Sequence, residues 1–419
     1  MSRTLFSNVS IFDGTGSAPF PGSVLVEGNK IAKIAKGRES LDAAGAEIID
    51  GTGQTLMPGM CDCHAHLTWA YSVDRRPKGA ENFLRRPPTP ERLALICAHN
   101  AKVLMDYGFT SAYSAGAIMQ SIEVTLKDEI EEGWIPGPRF IPAGTEGVKD
   151  DYVSTKQVRQ IERSTDADGV RHYIQHTAEI GAKVAKFIMS GPGIAFGEEY
   201  LAMYTDEQLA AAQDEAERLG IWMGGHARPL AAVKQAIKYG FRVIYHCDEI
   251  DEEALDMMEA RKHNLFIGPT PAFSGQRLEN SKVEEEKARS KFILDHYKEN
   301  SQRMRKRGIR VMPGGDYGFA PIPHGHNAKD LVYFVKYMDY TPAEALKACT
   351  QYGGELMGMP NELGLVKEGF LADLVLVDGD PTKDISLLVN ANNLTAVMKD
   401  GKFHKKPEAH REGHREAAE

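Results

Sequence analysis

Two histidines sit two residues apart in MPGMCDCHAHL, at His64 and His66. On a β-strand, residues i and i+2 share a face, so both imidazoles can point at one ion. Asp62 lies on the same face, one pleat deeper. Further ligand-type side chains close other short apolar runs: Lys186 in VAKFIMSG, His226 in IWMGGHA, His246 in VIYHC and Asp316 after IRVMPGG. Neutral imidazole is a common ligand for zinc and similar cations. A carboxylate such as Asp316 can hold a metal, accept a proton from its water, or both. Taken singly, His226 and His246 read as structural hydrogen-bonders and Asp316 as a turn or cap residue. A lysine at a strand end is normally costly to bury and reads as a stem with its ammonium in water. The chemistry needs all of them at one place. Lys183 competes with Lys186, which stands nearer the Ser-Gly-Pro closing the strand.

An arrangement that collects strand ends is a parallel sheet with helical crossovers. Eight strand-like runs alternate with amphipathic stretches such as RLALICAHNAKVLMDYG and DEQLAAAQDEAERLG. Eight βα units over about 300 residues fit a closed (β/α)8 TIM-like barrel, whose functional residues emerge at the C-terminal strand ends. The alternating runs of the first fifty-odd residues return near Leu371, in LADLVLVDG and LTAVMKDGKFHK. Both ends are therefore expected to form one small β-sandwich. The expected division is 1–57 and 363–405 for the sandwich, 58–362 for the catalytic barrel and 406–419 for a polar tail.

The 419 residues include 50 basic and 59 acidic ones, a net charge of −9 that disfavours a nucleic-acid partner. Five irregularly spaced cysteines form no disulfide framework and point to a reducing, cytoplasmic setting. Cys61 and Cys63 lack the second thiolate pair of a zinc knuckle. The start shows no secretory signal, and no apolar run reaches the roughly 18–20 residues of a membrane span.

The motifs MPGMCDCHAHL, FIMSGPG, GGHA, YHCDEID and GGDYG, with the closing TPAEALKACTQYGGELMGMPNELGLVKEGFLADLVLVDGDP, resemble the amidohydrolase superfamily over nearly the whole chain. The chain is most similar to the branch of Xaa-Pro and Xaa-Arg/Lys dipeptidases and imidazolonepropionase-like proteins, which includes hydrolases of ochratoxin, phenylureas and molinate. The resemblance implies that His64, His66, Lys186, His226, His246 and Asp316 hold two divalent ions, with Lys186 present as N6-carboxylysine. The usual ion would be zinc, with cobalt, manganese, iron or nickel as alternatives. It implies hydrolysis of a C–N amide-type bond in a small molecule, with Asp316 as base and acid and with His226 or His246 beside the oxyanion. A homo-oligomer is also implied.

Several segments depart from the branch. The second strand, TSAYSAG, lacks an Arg-Asp pair, and AGTEGVKDDYVS lacks a Gly-Gly-His run. His246 is followed by Cys-Asp-Glu-Ile. These changes spare the ligand set and bear on the substrate. Candidate substrate contacts are Arg228, His324, His326, Tyr317 and Tyr152. The charged insertion SGQRLENSKVEEEKARSKFILDHYKENSQRMRKRG reads as a lid, an oligomer contact or a solvated helix. Two rival functions share the ligands: a metal-dependent decarboxylase or isomerase, and a non-catalytic barrel with structural zinc.

Overall fold

A computed structural model describes residues 2–79, 88–148, 162–163, 166–191 and 202–407. The chain opens with β1 (Arg3–Ile11), β2 (Phe20–Glu27), β3 (Lys30–Lys36), β4 (Glu47–Asp50) and β5 (Gln54–Pro58). Next come β6 (Met60–Ala65), α1 (Pro90–Asp106), β7 (Phe109–Ser114), α2 (Ile122–Glu131) and β8 (Arg139–Ile141). Two short strands, β9 (Gly147–Val148) and β10 (Glu162–Arg163), precede α3 (Ala167–Glu179) and β11 (Val184–Ile188). The alternation continues through α4 (Asp206–Leu219), β12 (Trp222–Ala227), α5 (Leu230–Lys238), β13 (Val243–His246), α6 (Glu252–Ala260) and β14 (Phe266–Gly268). Then follow α7 (Pro271–Asn280), α8 (Glu284–Lys306), β15 (Arg310–Val311), α9 (Lys329–Met338), α10 (Pro342–Cys349) and α11 (Gln351–Leu356). The chain closes with β16 (Leu374–Asp378), β17 (Leu394–Lys399) and β18 (Lys402–Lys405).

The central eight strands fall where the apolar runs lie, and each ladder between them is parallel. Together with the short β9 and β10 they form two sheets, β6-β7-β8 and β10-β9-β11-β12-β13-β14-β15. A parallel bridge from Ala143 to Val184 joins the two just past β8, where Lys183 and Val184 N–H donate to the Pro142 carbonyl. Across the other edge, among the described residues, no ladder pairs β15 with β6. The chain leaves β15 at Pro313, which has no N–H to give, and Gly314 then runs tightly along β6. The Cys63 thiol donates to the Pro313 carbonyl at 2.7 Å. A closed ring of ladders is thus not what the backbone shows; the fold is a mixed α/β assembly with one seam made by side chains.

Inward-facing residues of the eight strands, counting Met312 directly after β15, meet in one apolar cluster. It contains Cys61, Cys63, Tyr113, Val184, Val243, Tyr245, Phe266 and Met312, with Ile141 and Trp222 packed against it. A larger cluster between strands and helices holds residues such as Leu104, Phe187, Phe241, Leu255 and Phe334. The helices are cut by local signals: Thr205 and Gln208 form a reciprocal capping box on α4, and Gly220 ends it in the left-handed region.

The chain ends pair in one eight-stranded sheet, ordered β18-β17-β16-β5-β1-β2-β3, with β4 also on β1. The two chain ends meet through a hydrogen-bonded join: β5 lies parallel to β1 and antiparallel to β16. The insertion reads differently too. Helix α8 packs against α7, α9 and β15, burying Leu294, Tyr297, Asn300 and Met304. It is therefore part of the packed body along that face. Among the described residues, no helix is long and apolar enough to cross a membrane.

Candidate metal centre

Strand β6 is buried at every position, which carries His64 and His66 into the interior. The His64 ring stacks on Tyr245 at 3.9 Å, and the Tyr245 hydroxyl donates to the Cys63 carbonyl at 3.0 Å. Asp62 accepts from the His64 N–H at 3.0 Å and from Asn327 Nδ2 at 2.8 Å, so its carboxylate is fully engaged in shaping this strand end. His66 Nδ1 donates to the Gly116 carbonyl at 2.8 Å, which turns Nε2 toward Asp316 Oδ1, 3.2 Å away. His64 Nε2 lies 3.8 Å from the same oxygen. Ligand atoms of His64, His66 and Asp316 all lie within 4.8 Å of one another.

The remaining residues pack around this trio. The His246 ring is 5.5 Å from His64, and the His226 ring is 4.3 Å from His246. His246 Nδ1 meets Thr270 Oγ1 at 2.6 Å. His226 Nε2 donates to the Gly191 carbonyl at 3.1 Å. Lys186 is 1% exposed; its Nζ donates to the Ala115 carbonyl at 3.1 Å and sits over the Tyr245 ring at 4.5 Å. Lys183, its competitor, is half-buried and reaches the Gly220 carbonyl instead. All six side chains that end the strands are thus brought to one place.

The electrostatics suit cation binding. Burial drives the His64 and His246 imidazoles well below their ordinary pKa, and His226 down to about 3, where Arg228 and Lys186 add to the effect. They are neutral near pH 7, the form in which imidazole is a ligand. Burial opposes ionisation of Asp316, but His64 and His66 prevail and hold the carboxyl well below the usual range. His66 goes the other way: against burial, its bond to Asp316 raises it. Burial also lowers Lys186, partly offset by Glu146 and Asp316. His246 Nε2 and His64 Nδ1 are buried with no hydrogen-bond partner. A nitrogen left bare while the other ring nitrogen of His246 is anchored is the pattern of a metal-ligating histidine. The donor set therefore fits divalent cations. His246 and Asp316 hold left-handed backbone, with φ of 71° and 61°. Such strain costs on the order of 1 kcal/mol or more per residue and gathers at functional sites.

The expected substrate contacts fare differently. Arg228 is partly buried, and its guanidinium donates to both oxygens of Asp248 at 3.2 and 2.9 Å; its anionic partner is the protein's own. Tyr317 packs with Ala272, Ile322 and Tyr333, because Gly315, lacking a side chain, lets the ring fold back over it. His324 is wholly buried and bonds to the His66 carbonyl at 3.1 Å, clamping two loops together. Neither Tyr317 nor His324 is a surface a substrate meets. His326 is half-buried, in a turn with Pro323 and Lys329, and Tyr152 lies outside the described residues. His404, on β18, is tied to Asp106 at 2.7 Å.

Glu146, Asp248 and Tyr245 are site residues that strand-end inspection missed. Glu146 Oε1 lies 3.6 Å from Lys186 Nζ. The one signal for it was its position just after the third strand, in a segment already marked as a departure.

Ochratoxinase of Aspergillus niger is 28% identical over 377 residues, covering 84% of this chain and 76% of that protein. Imidazolonepropionase of Treponema denticola is 22% identical over 431 residues, covering 96% and 97%. A crystal structure of a Xaa-Pro dipeptidase with bound methionine in the active site superimposes with a TM-score of 0.80 at 25% identity, covering 96% of this chain and 100% of that one. The model of the Amidohydrolase family matches residues 55–403, from the last strand of the N-terminal segment to β18, and this chain belongs to that family.

Proposed function

We propose that this protein is a metal-dependent hydrolase that cleaves a C–N amide-type bond, in an amide, dipeptide, urea or carbamate, of a small molecule. The observation that carries this reading is the convergence of His64, His66 and Asp316 within 4.8 Å, with His226, His246 and Lys186 packed around them. The six would hold two divalent cations, zinc first among them, with Lys186 as N6-carboxylysine. The buried, lowered Lys186 amine supports that modification, since only a neutral amine adds to carbon dioxide. Cations bound there would polarise the substrate carbonyl and acidify water.

The chain's own groups then act as follows. Asp316, with 24% of its side chain exposed, takes the proton from the attacking water and returns it to the leaving nitrogen. His226 and His246 stand beside the developing oxyanion. Thr270 and the Gly116 carbonyl keep the His246 and His66 rings in their working orientation. The eight-strand interior cluster supports closure of the strands into a (β/α)8 barrel around this mouth, flanked by the terminal sheet. Five buried free cysteines support a reducing cytoplasmic setting, and a homo-oligomer is the expected assembly.

The test is a product panel with the metal-loaded protein: N-acyl amino acids, dipeptides, anilides, phenylureas and carbamates. An amine released in step with an acid or carbon dioxide supports hydrolysis. Carbon dioxide without an amine, or an isomer of the substrate, indicates the decarboxylase or isomerase reading. A fully folded protein that takes up no metal defeats both.

A further inference from the structure

Helix α3 carries four ligand-type side chains that the chemistry above does not use: Asp168, His172, His176 and Glu179. They follow one another at steps of four, four and three residues, so they form one stripe along the helix. The inward face is a different one, where Val170, Tyr173, Ile174 and Thr177 are buried. Arg171 and Gln175 lean toward α4, donating to the Ala211 carbonyl at 3.4 Å and to Glu215 at 2.8 Å. The stripe itself meets solvent: Asp168 and His172 are exposed, and the His176 and Glu179 side chains are 33% and 72% exposed. Among the described helices, α3 alone places two histidines one turn apart.

The two imidazoles lie side by side, with ring centroids 6.5 Å apart and planes 19° apart. His176 Nδ1 stands 3.7 Å from Glu179 Oε2. Imidazoles at i and i+4 of a helix form a two-armed chelate. Rotation of these solvent-facing rings about their side-chain bonds brings one nitrogen of each to roughly the 2.0–2.1 Å that zinc requires. Glu179 offers an oxygen from the next turn, and water completes a tetrahedral set. Two imidazoles and a carboxylate suit zinc, nickel or copper(II) rather than calcium or magnesium, which take oxygen ligands. Position adds to this preference. His176 and Glu179 stand in the last turn of α3, where the helix carbonyls carry partial negative charge and a cation is favoured.

We propose that α3 bears a surface site for one borderline divalent ion such as zinc, held by His172, His176 and Glu179 and separate from the centre built by the strand ends.

The experiment titrates the full chain with zinc chloride in calorimetry near pH 7. The proteins are wild type, His172→Ala, His172→Gln, His176→Ala, Glu179→Gln and a double variant, His410→Ala with His414→Ala. That double variant removes the histidine pair of the polar tail, a rival binder of the same spacing. Far-ultraviolet dichroism accompanies each titration and is expected to be the same throughout. Wild type should take up one zinc ion that the three His172 and His176 variants bind at least about tenfold more weakly, since a chelate cut to one arm loses its effective concentration. Glu179→Gln should weaken the same ion less, and the tail variant should keep it in full. Uptake that is identical in wild type and in all the α3 variants overturns the proposal. So does an ion lost only with His410 and His414, or one that needs either His172 or His176 but not both. Because the readout is an ion count and not turnover, failure of the hydrolase reading leaves this site standing, and loss of this site leaves that reading intact.

Discussion

Asp316 occupies left-handed backbone at φ 61° although it is not a glycine, and its carboxylate faces two histidines. Strain of that kind persists only where the surroundings impose it. Here Gly314 threads the chain against Cys63 and His64, Gly315 lies against Tyr317 and Ala272, and the two deliver Asp316 to the cluster. Asp316→Asn keeps the size and loses the proton acceptor. We expect turnover on a cleaved substrate to fall roughly 10²–10⁴-fold, with the thermal midpoint nearly unchanged. His64→Asn should instead lower metal content, read by mass spectrometry. A fully active, fully loaded mutant of either kind contradicts the assignment. The convergence of the six clustered side chains was legible because each lies in or just after an apolar run, a feature visible in one dimension. Tyr317 and His324 were misread because nearness to Asp316 along the chain says nothing of direction: one ring folds back over Gly315, the other locks onto the His66 carbonyl. Glu146 and Asp248 were illegible because their partners, Lys186 and Arg228, stand 40 and 20 positions away.

The elements show the same contrast. Strand locations followed from apolar runs bounded by glycine, yet strand ends came out shorter than the runs. IRVMPGGD keeps only Arg310–Val311 in the ladder, since Pro313 and the glycines leave it to form the site. The terminal sheet was recognisable by texture, but its register was not, because β5 chooses partners near both chain ends. Between strand and helix, one buried carboxylate makes a testable join. Glu123 on α2 accepts from the Ala143 N–H at 3.1 Å, beside the bridge that links β8 to β11. Burial raises its pKa from 4.5 to about 7, against weaker pulls from Ser114 and Ala143. The folded chain thus holds a proton that the unfolded chain has lost between those values. The associated stability is complete below 4.5 and is lost as pH rises through about 7. Glu123→Gln keeps a neutral group throughout. Relative to wild type, its stability in denaturant titrations should rise between pH 4 and pH 8 by up to about 3 kcal/mol. A gap that stays constant with pH would refute this.

At the scale of the whole molecule, the terminal sheet and the parallel strands are held together by a small set of polar ties. Arg139 on β8 donates to Asp400 at 2.6 Å and lies 3.5 Å from Asp373, whose carboxylate is almost wholly buried and also caps the Asp400 N–H. Lys399 donates to the Gly137 carbonyl at 3.0 Å, and His404 meets Asp106 at 2.7 Å. Burial disfavours the Arg139 charge, but Asp373 and Asp400 more than restore it. Removing one partner of a buried ion pair leaves the other charge uncompensated, at a cost of about 3–5 kcal/mol. Arg139→Ala should lose roughly that amount, and Arg139→Lys less. The variant should also change how the molecule comes apart. The three tryptophans, Trp69, Trp134 and Trp222, all lie in the parallel half, so their fluorescence is blind to the terminal sheet while circular dichroism sees both. In wild type the two signals should lose structure together on heating. In Arg139→Ala the dichroism should fall first, as the terminal strands separate before the parallel half opens. Coincident transitions in both proteins, at nearly equal temperature, would mean that the apolar faces and not this ion cluster bind the two sheets into one cooperative unit.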